Sequence, residues 1–189
     1  MSGGVSGVVL AGGLGRRLGG ADKGLVMLDG HPLVAHVLAR LVPQVDEVLI
    51  SANRNLERYR AFGHRVVEDR VAGFAGPLAG LHAGLCAASQ PLVLSVPCDV
   101  PDLPGDLATR LVQGLDATNA EAAVARADGR LHPVFCLCRR ELSQDLESFL
   151  RNGGRRFREW LETVDCAVVD FMQPEGFANI NTPEDLPRR

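Results

Sequence analysis

The sequence predicts an α/β fold in which a mostly parallel, twisted sheet is covered by helices on both faces. Three observations point there. Short apolar, β-branched runs alternate with segments of helical apolar spacing, two of those runs stop at glycines or a proline, and no internal repeat or low-complexity linker interrupts the alternation. Val5 to Ala11 reads as a buried strand that ends in glycines. Pro32 to Val42 has the apolar spacing of a helix, and Glu47 to Ala52 and His64 to Glu68 look like further strands. Leu78 to Ala88 reads as a helix. Pro91 to Val96 is another continuous apolar strand, stopped by Pro97 and leading directly into Cys98-Asp99, so a carboxylate is expected at a strand's C-terminal end. Downstream, the pattern gives a helix over Asp106 to Leu115, strands over Glu121 to Ala125 and Pro133 to Cys138, and helices over Arg139 to Leu150 and Arg155 to Thr163. A last strand covers Cys166 to Phe171. Thr182-Pro183-Glu184-Asp185 then reads as a helix start, with Thr182 as cap and Pro183 in the first position. Sheets of this kind bind ligands beyond the carboxyl ends of their strands, so the site is expected to gather from several loops.

Composition narrows the function. A chain of 189 residues, 46% of them apolar, fits one domain spanning 1–189 with a core of useful size. The formal net charge of −3 leaves no basic field to hold nucleic acid by its phosphates. No apolar run approaches the roughly 18 residues of a membrane helix. Met1-Ser2-Gly3-Gly4 lacks the basic start of a secretory signal, so a cytoplasmic protein without membrane contact is expected. The five cysteines, Cys86, Cys98, Cys136, Cys138 and Cys166, include no CxxC pair and read as reduced core thiols. The five histidines form no ligand spacing, and no GxSxG elbow is present.

The segment Leu10-Ala11-Gly12-Gly13-Leu14-Gly15-Arg16-Arg17-Leu18-Gly19-Gly20-Ala21-Asp22-Lys23 concentrates glycines and cations directly after the first strand. Glycine lets the backbone turn sharply and bring N–H donors close to phosphate oxygens, while Arg16, Arg17 and Lys23 offset anionic charge. There is no GxxxxGK[ST], and Leu18 occupies the place where a GxGxxG starting at Gly13 needs its last glycine, so neither a P-loop nor a dinucleotide fingerprint is present. Asp99, at a strand end beside a proline, suits Mg²⁺, which takes one or two carboxylates and completes its shell with phosphate oxygens and water. Its blander reading is a turn acid before Pro101-Asp102. Asn179 and Asn181, two apart, point to one side of an extended segment or make an Asx turn.

LAGGLGRRLGGADKGL resembles the glycine-rich signature of the MobA-type molybdenum cofactor guanylyltransferases. Glu68 to Leu85, the strand-end Pro97-Cys98-Asp99, and Phe177 to Leu186 are also similar, in family order along nearly the whole chain. The resemblance implies a Rossmann-like, three-layer αβα nucleotidyltransferase fold. It implies transfer of GMP from GTP to the terminal phosphate of molybdopterin, with Mg²⁺, and contacts with molybdenum cofactor-handling proteins. In that reading the backbone of Leu10, Ala11 and Gly12 meets the base, and Gly13 and Gly15 cradle the triphosphate. Arg17 and Lys23 stabilise transferred and leaving phosphates, Asp99 holds the metal, and Asp69, Asn179 and Asn181 face the nucleotide and reaction centre.

The chain departs from the family where asparagine is common and Ser51 stands, with Asn53 two residues later, so either side chain could meet the nucleoside. Asn152-Gly153-Gly154-Arg155-Arg156 matches a region the family uses near the pterin. The rival readings are a CTP-dependent molybdopterin cytidylyltransferase, a sugar-phosphate nucleotidyltransferase, and a nucleotide-sensing module that performs no transfer.

Overall fold

The structure, a computed structural model, describes residues 3–12, 22–71 and 76–180. Its seven-stranded sheet uses β1 (Val5–Leu10), β4 (Glu47–Ser51), β5 (Arg65–Val67), β6 (Leu92–Pro97), β7 (Ala122–Ala127), β8 (Arg130–Arg139) and β9 (Cys166–Phe171), in the order β5-β4-β1-β6-β8-β7-β9. β1 pairs in parallel with β4 on one side and β6 on the other, and only β8 runs against the rest. β2 (Met27–Leu28) and β3 (His31–Pro32) form a separate small ladder.

Helices cover both faces. α1 (Leu33–Leu41) and α4 (Leu107–Thr118) pack with Val5, Val9, Leu94 and Leu137 in one core, while α3 (Pro77–Ala87) and α5 (Ser143–Arg151) pack with Val8, Leu10, Val93 and Cys136 in the other. Alternate residues of β1 therefore feed opposite cores, the period-2 geometry of a strand buried on both sides. α3 is buried from Leu78 through Leu85 because the sheet covers one side of it and α5 the other. Its close approach to β1 needs Gly84: a Cβ there would stand 2.6 Å from Val8 Cγ2.

The expected elements that fall within the described residues are present, with four differences. Two aspartate-glycine turns, Asp29-Gly30 and Asp128-Gly129, have positive φ at both residues and close hairpins between β2 and β3 and between β7 and β8. The second starts β8 at Arg130 instead of Pro133. α2 (Leu56–Arg60) was not foreseen; it carries only one fully buried side chain, Tyr59, and so shows little apolar periodicity. α5 starts at Ser143, after a 3₁₀ turn over Arg140–Leu142, and α6 (Phe157–Leu161) is shorter than expected. The helix start at Thr182 lies outside the described residues. No described helix is long and apolar enough to cross a membrane.

All five cysteines are unpaired; Cys98, Cys136 and Cys138 are buried, whereas Cys86 is exposed, against the expectation of core thiols throughout. The Cys86 thiol lies 3.5 Å from His82 Nε2.

Gly84→Val should cost about 1–3 kcal/mol of stability by overpacking the α3–β1 contact, read from chemical denaturation. Wild-type stability in that variant would show that α3 can shift away from the sheet freely.

Candidate functional site

The ends of β4, β1 and β6 lie level, with Leu10 opposite both Ser51 and Pro97. Past that row the Ala11 N–H donates to Ser51 O at 2.8 Å and the Cys98 N–H to Leu10 O at 3.3 Å, so the strand order holds up to the loops. β1 leads through α1 to one neighbour, β4, while its other neighbour, β6, enters later in the chain. That reversal of direction opens a crevice at the strands' carboxyl ends. Leu10, Ala11, Gly12, Lys23, Ser51, Asp69, Asp99 and Asn179 line the resulting cleft.

Asp99 is its chemical centre and is only 6% exposed. Asn179 Nδ2 lies 3.0 Å from each carboxylate oxygen and donates to them, and the Lys23 ammonium donates to Oδ2. The Ile180 N–H donates to Asp99 O at 2.9 Å, which docks the Asn179 segment onto the end of β6. Residues 23, 99 and 179, scattered along the chain, thus meet at one carboxylate.

Lys23 is itself placed by groups that the sequence pattern left unassigned. Its neighbour Asp22 is buried, accepting from Tyr59 Oη at 2.6 Å and from Asn55 Nδ2 at 2.9 Å, with Arg54 Nε 3.6 Å away. Burial and the Asp22 hydrogen bond push the Tyr59 phenol far above its ordinary pKa, so it stays a donor. A 3₁₀ turn over Lys23–Leu25 follows, and a Cβ on Gly24 would lie 2.6 Å from Tyr59 Oη. The signal available in the sequence was an acid beside the lysine and an isolated Tyr59 in a polar segment.

Ser51 and Asn53 differ in their surroundings. Asn53 is occupied with Asp69: its Nδ2 donates to Asp69 Oδ2 at 2.8 Å and its Oδ1 accepts from the Asp69 N–H at 2.9 Å. Ser51 Oγ faces the cleft side of the sheet, buried and without a hydrogen-bond partner among the described residues. Asp69 Oδ1 is likewise buried and unpartnered, and burial raises the Asp69 pKa against the lowering effect of Asn53.

Gly13, Gly15, Arg17 and Asn181 lie outside the described residues. Asn152 to Arg156 do not line the cleft. Arg155 Nη1 donates to the Leu150 and Gly154 carbonyls at 3.1 and 2.7 Å at the end of α5, and Arg156 pairs with Glu159 at 3.2 Å. Among the described residues no three His, Cys, Asp or Glu side chains converge on one point, which leaves Asp99 and Asp69 as the carboxylates of the cleft.

Comparison with known proteins agrees with this geometry. Residues 7–166 match the family model described as the MobA-like NTP transferase domain. The chain is 45% identical to a molybdenum cofactor guanylyltransferase of Shewanella sediminis, covering 95% of this chain and 92% of that one. It is 47% identical to one of Methylibium petroleiphilum, covering 97% and 94%. A crystal structure of molybdopterin-guanine dinucleotide biosynthesis protein A from Archaeoglobus fulgidus superposes with a TM-score of 0.79 at 23% identity, covering 96% of this chain and 94% of that one, so the fold is shared.

Asp22→Ala should remove the acceptor of the buried Tyr59 hydroxyl and cost about 1–3 kcal/mol in chemical denaturation. Amide exchange over Lys23 to Val26 should accelerate. Unchanged exchange there would mean that the turn carrying Lys23 is held without Asp22.

Proposed function

Because the chain belongs to the MobA-like NTP transferase family, we propose that it transfers GMP from GTP to the terminal phosphate of molybdopterin and releases pyrophosphate. The observation that carries this reading is the Asp99 carboxylate, held by Lys23 and Asn179 at the crevice between β1 and β6. Two relatives that cover nearly all of the chain at 45% and 47% identity bear the guanylyltransferase name, which supports guanine as the base.

In the reaction, an oxygen of the molybdopterin phosphate attacks the α-phosphorus of GTP. The new O–P bond forms as the bond to the β-phosphate bridging oxygen breaks, and pyrophosphate leaves with that electron pair. The nucleophile is already anionic, so the site needs no general base and works by positioning and charge compensation. The ends of β1 and β4 present Leu10, Ala11, Gly12 and the unpartnered Ser51 Oγ to the nucleoside. Lys23, next to the carboxylate it pairs with, compensates charge on the phosphates once nucleotide enters. Arg17, with Gly13 and Gly15, extends the same phosphate-binding loop, and Asn181 continues the Asn179 segment. Asn179 keeps the Asp99 carboxylate oriented.

The cleft fits Mg²⁺: Asp99 is fixed in orientation, and Asp69 offers a buried oxygen without a partner among the described residues. An ion that takes one or two carboxylates suits such a site. Mg²⁺, when bound, neutralises phosphate charge. The reading extends to one nucleotidyltransferase domain over residues 1–189, working in the cytoplasm and handing its product to molybdenum cofactor-handling proteins.

Titration with GTP, CTP, ATP and UTP in the presence of Mg²⁺, followed by pyrophosphate release on adding molybdopterin, tests the assignment. GTP should bind best and alone support release; a clear CTP preference would overturn it. Lys23→Ala should fold normally and lose about 2–4 kcal/mol of transition-state stabilisation, or roughly 30- to 1000-fold in rate. Wild-type turnover would remove Lys23 from its role.

A further inference from the structure

β8 does not pair evenly with β7. Val124 opposes Cys136, yet the next residue, Ala125, opposes His132, so residues 133–135 bulge out of the ladder. Pro133 has no N–H to give to a ladder, and the buried Ser95 hydroxyl donates to the Val134 carbonyl at 2.6 Å, which ties the bulge to β6. The bulge has two consequences at the level of Asp99. Val134 turns into the nucleotide cleft, and His132 lies over Phe177 with ring centroids 4.8 Å apart.

Beside His132 a second cavity of about 460 Å³ opens, lined by Asp128 and Arg130 of the hairpin and by Pro174, Phe177, Ala178 and Asn179. Asn179 lines both this cavity and the nucleotide cleft, and its amide holds the Asp99 carboxylate. The two spaces therefore meet at the group on which the first site centres. Arg126, on the same hairpin, is spent on Asp170 through two contacts of 2.5 and 2.7 Å. Asp128 and Arg130 have no such partner among the described residues. Burial, then the Arg130 charge, holds the His132 imidazole below its ordinary pKa.

In-line transfer places the attacking oxygen opposite the leaving pyrophosphate. With the triphosphate on the Gly12 and Lys23 side of Asp99, the acceptor must come from the β8 side. We propose that the cavity between the Asp128-Gly129 hairpin and the Pro174–Asn179 segment holds the organic body of the acceptor phosphomonoester, with Asp128 and Arg130 recognising its heterocycle. The carboxylate accepts from the N–H edge of the ring system and the guanidinium donates to its oxygen and nitrogen acceptors, while the phosphate end points to the junction with the nucleotide cleft beside Asn179. This assignment rests on the guanylyl-transfer reading above.

Steady-state pyrophosphate release, with molybdopterin and GTP varied in turn, separates the two substrates. Arg130→Ala and Asp128→Asn, the latter retaining a residue tolerant of the turn's positive φ, should each raise the molybdopterin KM by about tenfold or more, as for loss of a charge-assisted hydrogen bond. The GTP KM and kcat should stay within about twofold, and thermal unfolding should match wild type. An unchanged molybdopterin KM, or an equal rise in both KM values, in variants of an active wild-type enzyme would overturn the cavity assignment alone. A wild-type protein that binds GTP but releases no pyrophosphate with molybdopterin would overturn the transfer reading, and the cavity assignment with it.

Discussion

A carboxylate nearly removed from water has to be compensated, and the compensation of Asp99 organises this molecule's functional end. Burial of an isolated charge is costly, and the Lys23 ammonium and the Asn179 amide against the Asp99 carboxylate offset that cost. Those two partners come from the segment after β1 and from the segment after β9. The carboxylate thus ties the segment after β1 and the segment after β9 to the end of β6. The same interaction is poised for a polyanion: a cation already at the cleft can be shared with phosphate, leaving the carboxylate its amide partner.

The scaffold makes that arrangement rigid. β1 is buried at every position and flanked by parallel strands, and the close approach of α3 through Gly84 fixes it from one face. On the other side, Asp22 anchors the Lys23 turn to Tyr59 and Asn55, so the cation's position is set by a buried hydrogen-bond network rather than by loop chance. The antiparallel β8 departs from the parallel sheet just where β6 ends. Its bulge is the structural reason a second cavity lies next to the first.

Much of this was legible in the sequence because short apolar runs such as Pro91 to Val96 and Val5 to Ala11, ended by a proline or by glycines, read as buried strands. The glycines and Lys23 after β1, and Asp99 after β6, then fell at strand ends by position alone. What was not legible depended on contacts distant in sequence. Nothing local tells that Asp22 is buried against Tyr59, or that Asn53 is consumed by Asp69 while Ser51 stays unpartnered. Asp128-Gly129 was a strong hairpin signal that the apolar pattern around Pro133 obscured, and the bulge depends on a hydroxyl from a different strand, Ser95. That Arg155 is used on the α5 carbonyls and Arg156 on Glu159 appears only after folding.

The most direct measurement of the central claim is a crystal structure of the protein with GTP and Mg²⁺. The account expects the triphosphate across the end of β1, the ion on the Asp99 carboxylate, and the Lys23 ammonium shared with a phosphate oxygen while Asn179 remains on Asp99. Nucleotide bound elsewhere, with Asp99 still engaged only by Lys23 and Asn179 and no ion beside it, would contradict it.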